Sequence, residues 1–313
     1  MDDSRTPPTA HRPDRGGGPG PAITTRSVTR GHANAQAHAV AIADAVDQTW
    51  HGRHGSGDLE IPLSVLAGLS LVTVTDHSPE ELAETMLELD ADQLAHLLRS
   101  VWRTFVRNRT DLAPRAWPLM EPWLGEDRPI SDENKRHTLA VGTAAIRAGL
   151  LELTTSDRRH EADLLGSALT VMRTKATRTV RGQYYTPSSL ADVLAHMSVA
   201  DEGESIVDPA AGTGGLFRAQ AQAMRAQGRN PARVRWVAVD IDHLAIACLA
   251  VNAHLWGLGK SVLLGVGDVL GNDWQEQALG ERREMAQLAR TATLHGLIHC
   301  LRDQVTAMHD AAS

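Results

Sequence analysis

The pattern of apolar and polar positions changes character twice along the chain. Residues 1–31 show no apolar stripe and include Gly16-Gly17-Gly18-Pro19-Gly20-Pro21, so they are expected to be disordered: too little apolar surface exists to offset ordering. From Asn34 the periods turn helical. One helix is expected over 36–50, ended by the Gly-rich stretch 52–57, and the apolar run 61–74 predicts a short buried helix rather than a strand. Ser78-Pro79-Glu80-Glu81 is a strong helix start, with a capping hydroxyl, proline in the first turn and acids at the positive helix end. That helix is expected to reach about Arg107, with Leu82, Met86, Leu89, Leu94, Leu97, Leu98, Trp102 and Phe105 on its apolar side. Ser131-Asp132-Glu133 opens another to about Leu153, and Asp157 a further one through Met172. No strand pattern precedes Glu204, so 32–178 is expected to be an all-helical N-terminal domain.

After Pro187 helix and strand alternate. Helices are expected at 188–199, 216–227 and 244–255, and strands at 205–208, 234–240 and 262–266, the first of these short and buried. Such alternation implies right-handed crossovers and a parallel sheet. Beyond Asp273 the pattern is helical to the end, so 179–272 reads as an α/β domain of about three strands and 273–313 as a helical tail.

Bulk properties narrow the setting. The net charge of −7 excludes coating of nucleic acid by bulk charge, though not a local basic face. The longest apolar run is too short to span a bilayer, and the N-terminus has no signal-peptide core. Cys248 and Cys300 form neither a disulfide framework nor a metal spacing, and no metal spacing is found among the 15 histidines. A reduced, cytoplasmic protein with no membrane partner and no metal is expected.

Four motifs carry candidate chemistry. Asp208-Pro209-Ala210-Ala211-Gly212-Thr213-Gly214-Gly215 leaves a strand and opens a helix. Its glycines allow a tight turn and close approach to a ligand, and the helix N-terminus offers amides to an anion. Dinucleotide enzymes use such loops too, but the carboxylate at the strand end suits a cationic amino group. Asp240, at the end of the second strand, is placed to accept two ribose hydroxyls, with Ile241 beside it to pack on an adenine face. Asp242 more readily caps the following helix. Gly267-Asp268 ends the third strand; Asp268 is either an acceptor for an adenine amino group or a turn residue. Gly182-Gln183-Tyr184-Tyr185-Thr186-Pro187 holds the chain's 2 tyrosines on a loop before a helix, as a ligand wall or as packing.

Together these motifs resemble the adenine-specific DNA methyltransferases, in particular the modification subunit of type I restriction systems. That family has a helical N-terminal domain, a Gly-x-aromatic-Tyr-Thr-Pro loop, an Asp-Pro-Ala-small-Gly-Ser/Thr-Gly-Gly loop, an acid after the second strand and Gly-Asp after the third. Leu164-Leu165-Gly166-x-Ala168 also resembles the family's approach to the tyrosine loop. The resemblance covers about 160–270 and implies a partial Rossmann-like fold that binds S-adenosylmethionine. Asp208, Gly212 and Gly214 would hold the methionine part, Asp240 the ribose and Asp268 the adenine; Tyr185 and Thr186 would close the methionine end.

The family's catalytic Asn-Pro-Pro-aromatic, which holds a flipped target base, is not found after Gly267-Asp268. Asn230-Pro231-Ala232 lies before the second strand and reads as a loop. No catalytic residue is therefore assigned. The sheet is expected to stop before its substrate half, leaving the first strand as a bare edge for the C-terminal helices, the N-terminal domain or another chain to cover. Arg173, Lys175, Arg178 and Arg181 form a basic run that could touch DNA phosphate or face solvent. Two readings follow. In one, the chain is an adenine-specific DNA methyltransferase completed by a second polypeptide or working beside a specificity subunit. In the other, it is a non-catalytic cofactor-, DNA- or partner-binding relative. A methyltransferase acting on protein or RNA fits the tyrosine loop less well.

Overall fold

The computed structural model describes residues 34–54, 58–73, 77–126, 130–173, 188–271 and 273–311. Up to Arg173 these residues are helical, as the apolar periods predict. The elements are α1 (Ala35–His54), α2 (Glu60–Ser70), α3 (Pro79–Leu87), α4 (Ala91–Asn108), α5 (Ala113–Leu124), α6 (Asp132–Arg147), α7 (Leu150–Thr154) and α8 (Leu164–Met172). Three of the expected helices are broken, each for a local reason. The one expected to reach Arg107 stops at Leu87 because Asp90 starts another. Its carboxylate accepts from the Gln93 amide at 2.8 Å, while Gln93 Oε1 accepts from the Asp90 amide at 2.9 Å. This reciprocal capping box separates α3 from α4. The helix opened by Ser131 ends at Arg147, since Gly149 takes a left-handed φ of 90° and α7 begins anew. The stretch from Asp157 opens as a 3-10 turn, and Asp163 then caps α8.

The helix α5 forms although Pro118 and Pro122 lie inside it. Their spacing explains its survival. Each lacks the amide that would bond the carbonyl four residues back, so the lost bonds fall along one stripe. Burial of Trp117, Leu119, Met120 and Trp123 does the rest.

The α/β part follows the expected order: α9 (Ser188–Met197), β1 (Ser205–Asp208), α10 (Gly215–Ala226), β2 (Arg235–Asp240), α11 (His243–Leu255) and β3 (Val262–Val266). The expected helical tail is two helices, α12 (Trp274–Thr291) and α13 (Leu294–Ala311). The strands are parallel in the order β1-β2-β3, with Ser205 opposite Arg235 and Trp236 opposite Val262. The fold is therefore α/β, a partial Rossmann-like sheet preceded by a helical region. Asn230 and Pro231 lie in the turn between α10 and β2, as expected of a loop.

One strand reading is corrected. The residues of β1 are not a buried run: Val207 is 60% exposed and only Asp208 is buried. On the same face, Val237 and Leu263 pack under Ala278 and Trp274 of α12, which does not reach β1. The two sheet edges also differ. Along β3, Arg282 donates to the Val262 carbonyl at 2.8 Å and Arg115 of α5 donates to the Leu264 carbonyl at 3.0 Å. Charged side chains on an edge discourage further pairing. Beside β1, no strand pairs among the described residues. A groove of about 480 Å³ runs there between β1, α9 and α10. The described C-terminal helices lie elsewhere, α12 on β3 and α13 against α4 and α5.

One apolar core joins the helical region to the sheet. Its hub is α5, which packs on α2, α4, α11 and α13, and Trp102, Trp117, Trp236 and Trp256 are fully buried within the core. No helix among the described residues is long and apolar enough to cross a membrane.

Candidate cofactor-binding site

The three parallel strands end on one side of the sheet, and each end carries an acid. Asp208 is the last residue of β1, Asp240 the last of β2, and Gly267-Asp268 follow β3. Loops at the carboxyl ends of parallel strands form the usual ligand crevice of such sheets.

Between β1 and α10 the glycine loop folds on its own bonds. The Ala210 amide donates to Asp208 Oδ1 at 3.1 Å, the Ala211 amide to the Val239 carbonyl at 3.2 Å and the Gly212 amide to Asp240 Oδ2 at 2.7 Å. The three glycines have different tasks. Gly214 has φ 91°, and a Cβ there would lie 2.3 Å from Leu249 Cδ1, so its lack of a side chain lets the start of α10 approach Leu249 of α11. Gly212 has φ 52° with nothing within 4 Å of an added Cβ, and Gly215 at the helix start is equally open. These two leave room on the solvent side, where a ligand would lie.

Asp208 is buried, at 7% exposure, and its Oδ2 has no hydrogen-bond partner among the described residues. Burial, reinforced by repulsion from Asp240, holds its pKa above the usual carboxylate value. A buried acceptor without a donor is costly and marks a place for an external donor. It lines a cleft of about 280 Å³ with Gln36 and Val40 of α1, Gly166 and Thr170 of α8, and Gly212 of the loop.

Asp240 has a second task that its expected role does not include. One oxygen holds Gly212 and the other accepts from the Asp242 amide at 2.9 Å, so it pins the glycine loop to the turn after β2. Ile241 is 68% exposed beside it. Asp268 is exposed and closes its own turn by accepting from the Leu270 amide at 2.9 Å. The cleft thus brings Asp208 and Gly212 together; Asp240, Gly214 and Asp268 lie outside its lining. Tyr185, Thr186 and the rest of their loop lie outside the described residues.

The basic run needs one correction. Arg173 neither reaches toward DNA nor faces solvent: it is buried and paired through both terminal nitrogens with Asp242, which is itself 4% exposed at the side chain. Asp242 caps α11 through the Leu244 and Ala245 amides, as expected. Burial pushes the Asp242 carboxyl up, but the Arg173 bonds and charge outweigh it and hold it below the usual range. Lys175, Arg178 and Arg181 lie outside the described residues.

Two residues that the motif reading missed stand behind the loop. Asp163 accepts from the Thr213 hydroxyl at 2.6 Å, the Gly166 amide at 2.8 Å and the Asn252 amide group at 2.9 Å. Asn252 also donates to the Thr213 carbonyl at 3.0 Å. A lone Asn inside the apolar helix α11 was the available signal for one; Asp163 reads locally as an ordinary cap. Gly166 is required here, because a Cβ would lie 2.1 Å from Asp163 Oδ2 and 2.3 Å from Thr213 Oγ1.

Residues 161–288 match the family model described as N-6 DNA Methylase. That segment, from just before α8 into α12, is adenine-DNA-methylase-like and contains every described residue of the site except those of α1. No curated protein matches the chain. Among solved structures, the chain is similar to the methyltransferase subunit of the type I restriction-modification system from Streptococcus thermophilus. The identity is 16%, the TM-score 0.40, and the match covers 77% of this chain and 60% of that one. The chain therefore spans less than two thirds of that subunit's length.

Proposed function

We propose that the chain binds S-adenosylmethionine and is the cofactor-holding part of an adenine-specific DNA methyltransferase. The observation that carries the reading is Asp208, a buried carboxylate with one unpartnered oxygen, set in a cleft beside the open face of Gly212 and the start of α10. This donor and acceptor set fits an amino acid moiety. Asp208 would take its ammonium group, and the first turn of α10 would face its carboxylate. Gly214 keeps α10 close enough to do so. Asp240 would accept from the ribose hydroxyls while still holding Gly212, Asp268 would accept from the adenine amino group, and Ile241 would cover the adenine ring. Tyr185 and Thr186 would close the methionine end. When bound, the cofactor supplies an activated methyl group.

In this reading 32–178 is a helical domain, 179–272 the cofactor-binding domain and 273–313 a helical tail. The protein acts in the cytoplasm on DNA, beside a specificity subunit or a second polypeptide. The open edge of β1 is where further polypeptide would extend the sheet, bringing the Asn-Pro-Pro-aromatic beside Asp208. One observation favours a non-catalytic cofactor-, DNA- or partner-binding role for the chain by itself: after β3 the described residues continue into α12 and α13 and include no further strand.

The test is transfer of labelled methyl from S-adenosylmethionine to adenine-containing DNA, with the chain alone and with the products of neighbouring genes. The expected result is no incorporation by the chain alone and incorporation once the missing motif is supplied. Labelling of DNA by the chain alone would contradict the assignment of catalysis to another polypeptide.

A further inference from the structure

Four groups behind the glycine loop form one closed network. Asp163 stands before α8, Gly166 lies in the first turn of α8, Thr213 is in the loop, and Asn252 is in α11. The Asp163 carboxylate receives three donors, one from each of these elements: the Gly166 amide, the Thr213 hydroxyl and the Asn252 amide group. Asn252 returns to the loop through the Thr213 carbonyl, so Thr213 is held at both its side chain and its backbone. Gln36 of α1 extends the network, accepting from the Asp163 amide at 2.9 Å and donating to Ser167 Oγ at 2.9 Å. Thr213 and Asn252 are 4% and 1% exposed.

This geometry has a directional consequence. The Thr213 hydroxyl points inward, toward Asp163. It therefore fixes the peptide between Gly212 and Gly214 from the α8 side, at the inner wall of the cleft that Thr213 and Asp163 also line. Gly212 and Gly214 both need positive φ, and a loop with two such residues has few other restraints. From the β2 side the loop is held at the Gly212 amide by Asp240 and at the Ala211 amide by the Val239 carbonyl. The Asp163 network holds it from the α8 and α11 side.

We propose that Asp163 and Thr213 are positioning residues that hold the glycine loop in its ligand-ready shape. The inference rests on the cofactor reading of the cleft for its consequence in binding, but its structural half stands in the free protein. Burial pushes the Asp163 carboxyl pKa up and its three donors pull it back down, so each donor offsets part of the cost of burying the group. Removing the hydroxyl also leaves the buried Asp163 oxygen without a donor, which raises the cost of the ordered loop.

The test uses Thr213→Val, which keeps shape and loses the hydroxyl, and Thr213→Ser, which keeps the hydroxyl. Two readouts are taken on the whole chain: amide hydrogen exchange over 209–216 without ligand, and calorimetric titration of S-adenosylmethionine. For Thr213→Val the expected results are exchange faster by about tenfold and binding weaker by about tenfold, with Thr213→Ser close to the original in both. Unchanged exchange in Thr213→Val overturns the positioning role, whatever the binding. Faster exchange with unchanged binding overturns its link to the ligand and leaves the cofactor reading intact. Absence of binding by the unsubstituted chain sinks the cofactor reading and, with it, the link from loop to ligand; the exchange result then decides the structural half alone.

Discussion

Replacing Arg173 with Met is expected to destabilise the fold by about 3–5 kcal/mol, because it strands the Asp242 carboxylate in a dry site. Both side chains of the pair are nearly fully buried, at 2% and 4% exposure, and joined by two hydrogen bonds. The burial cost of each charge is met by the other, so losing one partner exposes the whole cost of the remaining one. Asp242 also caps α11, a task that Asn performs nearly as well. The double variant Arg173→Met with Asp242→Asn is therefore expected to lose much less than Arg173→Met alone. Urea unfolding of the two single variants and the double variant measures the coupling. A single variant as stable as the double one would show that the pair is not the anchor described.

The second large effect separates two glycines of one loop. Gly214→Ala is expected to cost about 3 kcal/mol, combining strain at positive φ with overpacking. The added methyl would lie 2.3 Å from Leu249 Cδ1 and 3.1 Å from the Trp256 ring, both in the closed core. Gly212→Ala meets no atom within 4 Å, so its effect on unfolding is expected to stay near 1 kcal/mol. Its methyl would instead enter the cleft and weaken ligand binding. Stability lost at Gly214 and binding lost at Gly212 is the expected division. Equal stability losses at both positions would argue that Gly212 faces protein rather than ligand.

The contrast between these residues shows what could be seen in advance. The strands 205–208 and 262–266 were readable to the residue, because short apolar runs bounded by Gly, Pro and acids have few alternatives. The order of acids along the strand ends followed from the same reading, since parallel strands with right-handed crossovers put every carboxyl end on one side. Division of labour among the acids did not follow. Asp240 and Asp242 differ by two positions, yet one pins the glycine loop and the other neutralises Arg173, which stands 69 residues earlier. Asp163 and Asn252 are likewise 89 residues apart. Pairings of that span depend on how α8 and α11 meet, which neither segment encodes alone.

Helix existence was readable and helix continuity less so. The break at Asp90 turns on a capping box that competes with an otherwise continuous apolar stripe, and α5 survives its prolines because packing on all sides outweighs their local cost. Exposure of β1 was misread because an apolar strand looks alike at a sheet's centre and at its edge; only the reach of α12 distinguishes them.

The central claim is that the cleft at Asp208 takes S-adenosylmethionine. Calorimetric titration of that molecule into the purified chain, beside Asp208→Asn, tests it most directly. Asp208 is the better choice for substitution than Asp240, whose loss would also release Gly212. Micromolar binding of about −8 kcal/mol by the unsubstituted chain, abolished in Asp208→Asn while the fold is kept, is the predicted result. A folded chain that gives no heat of binding, or binds equally well with Asn at 208, would contradict it.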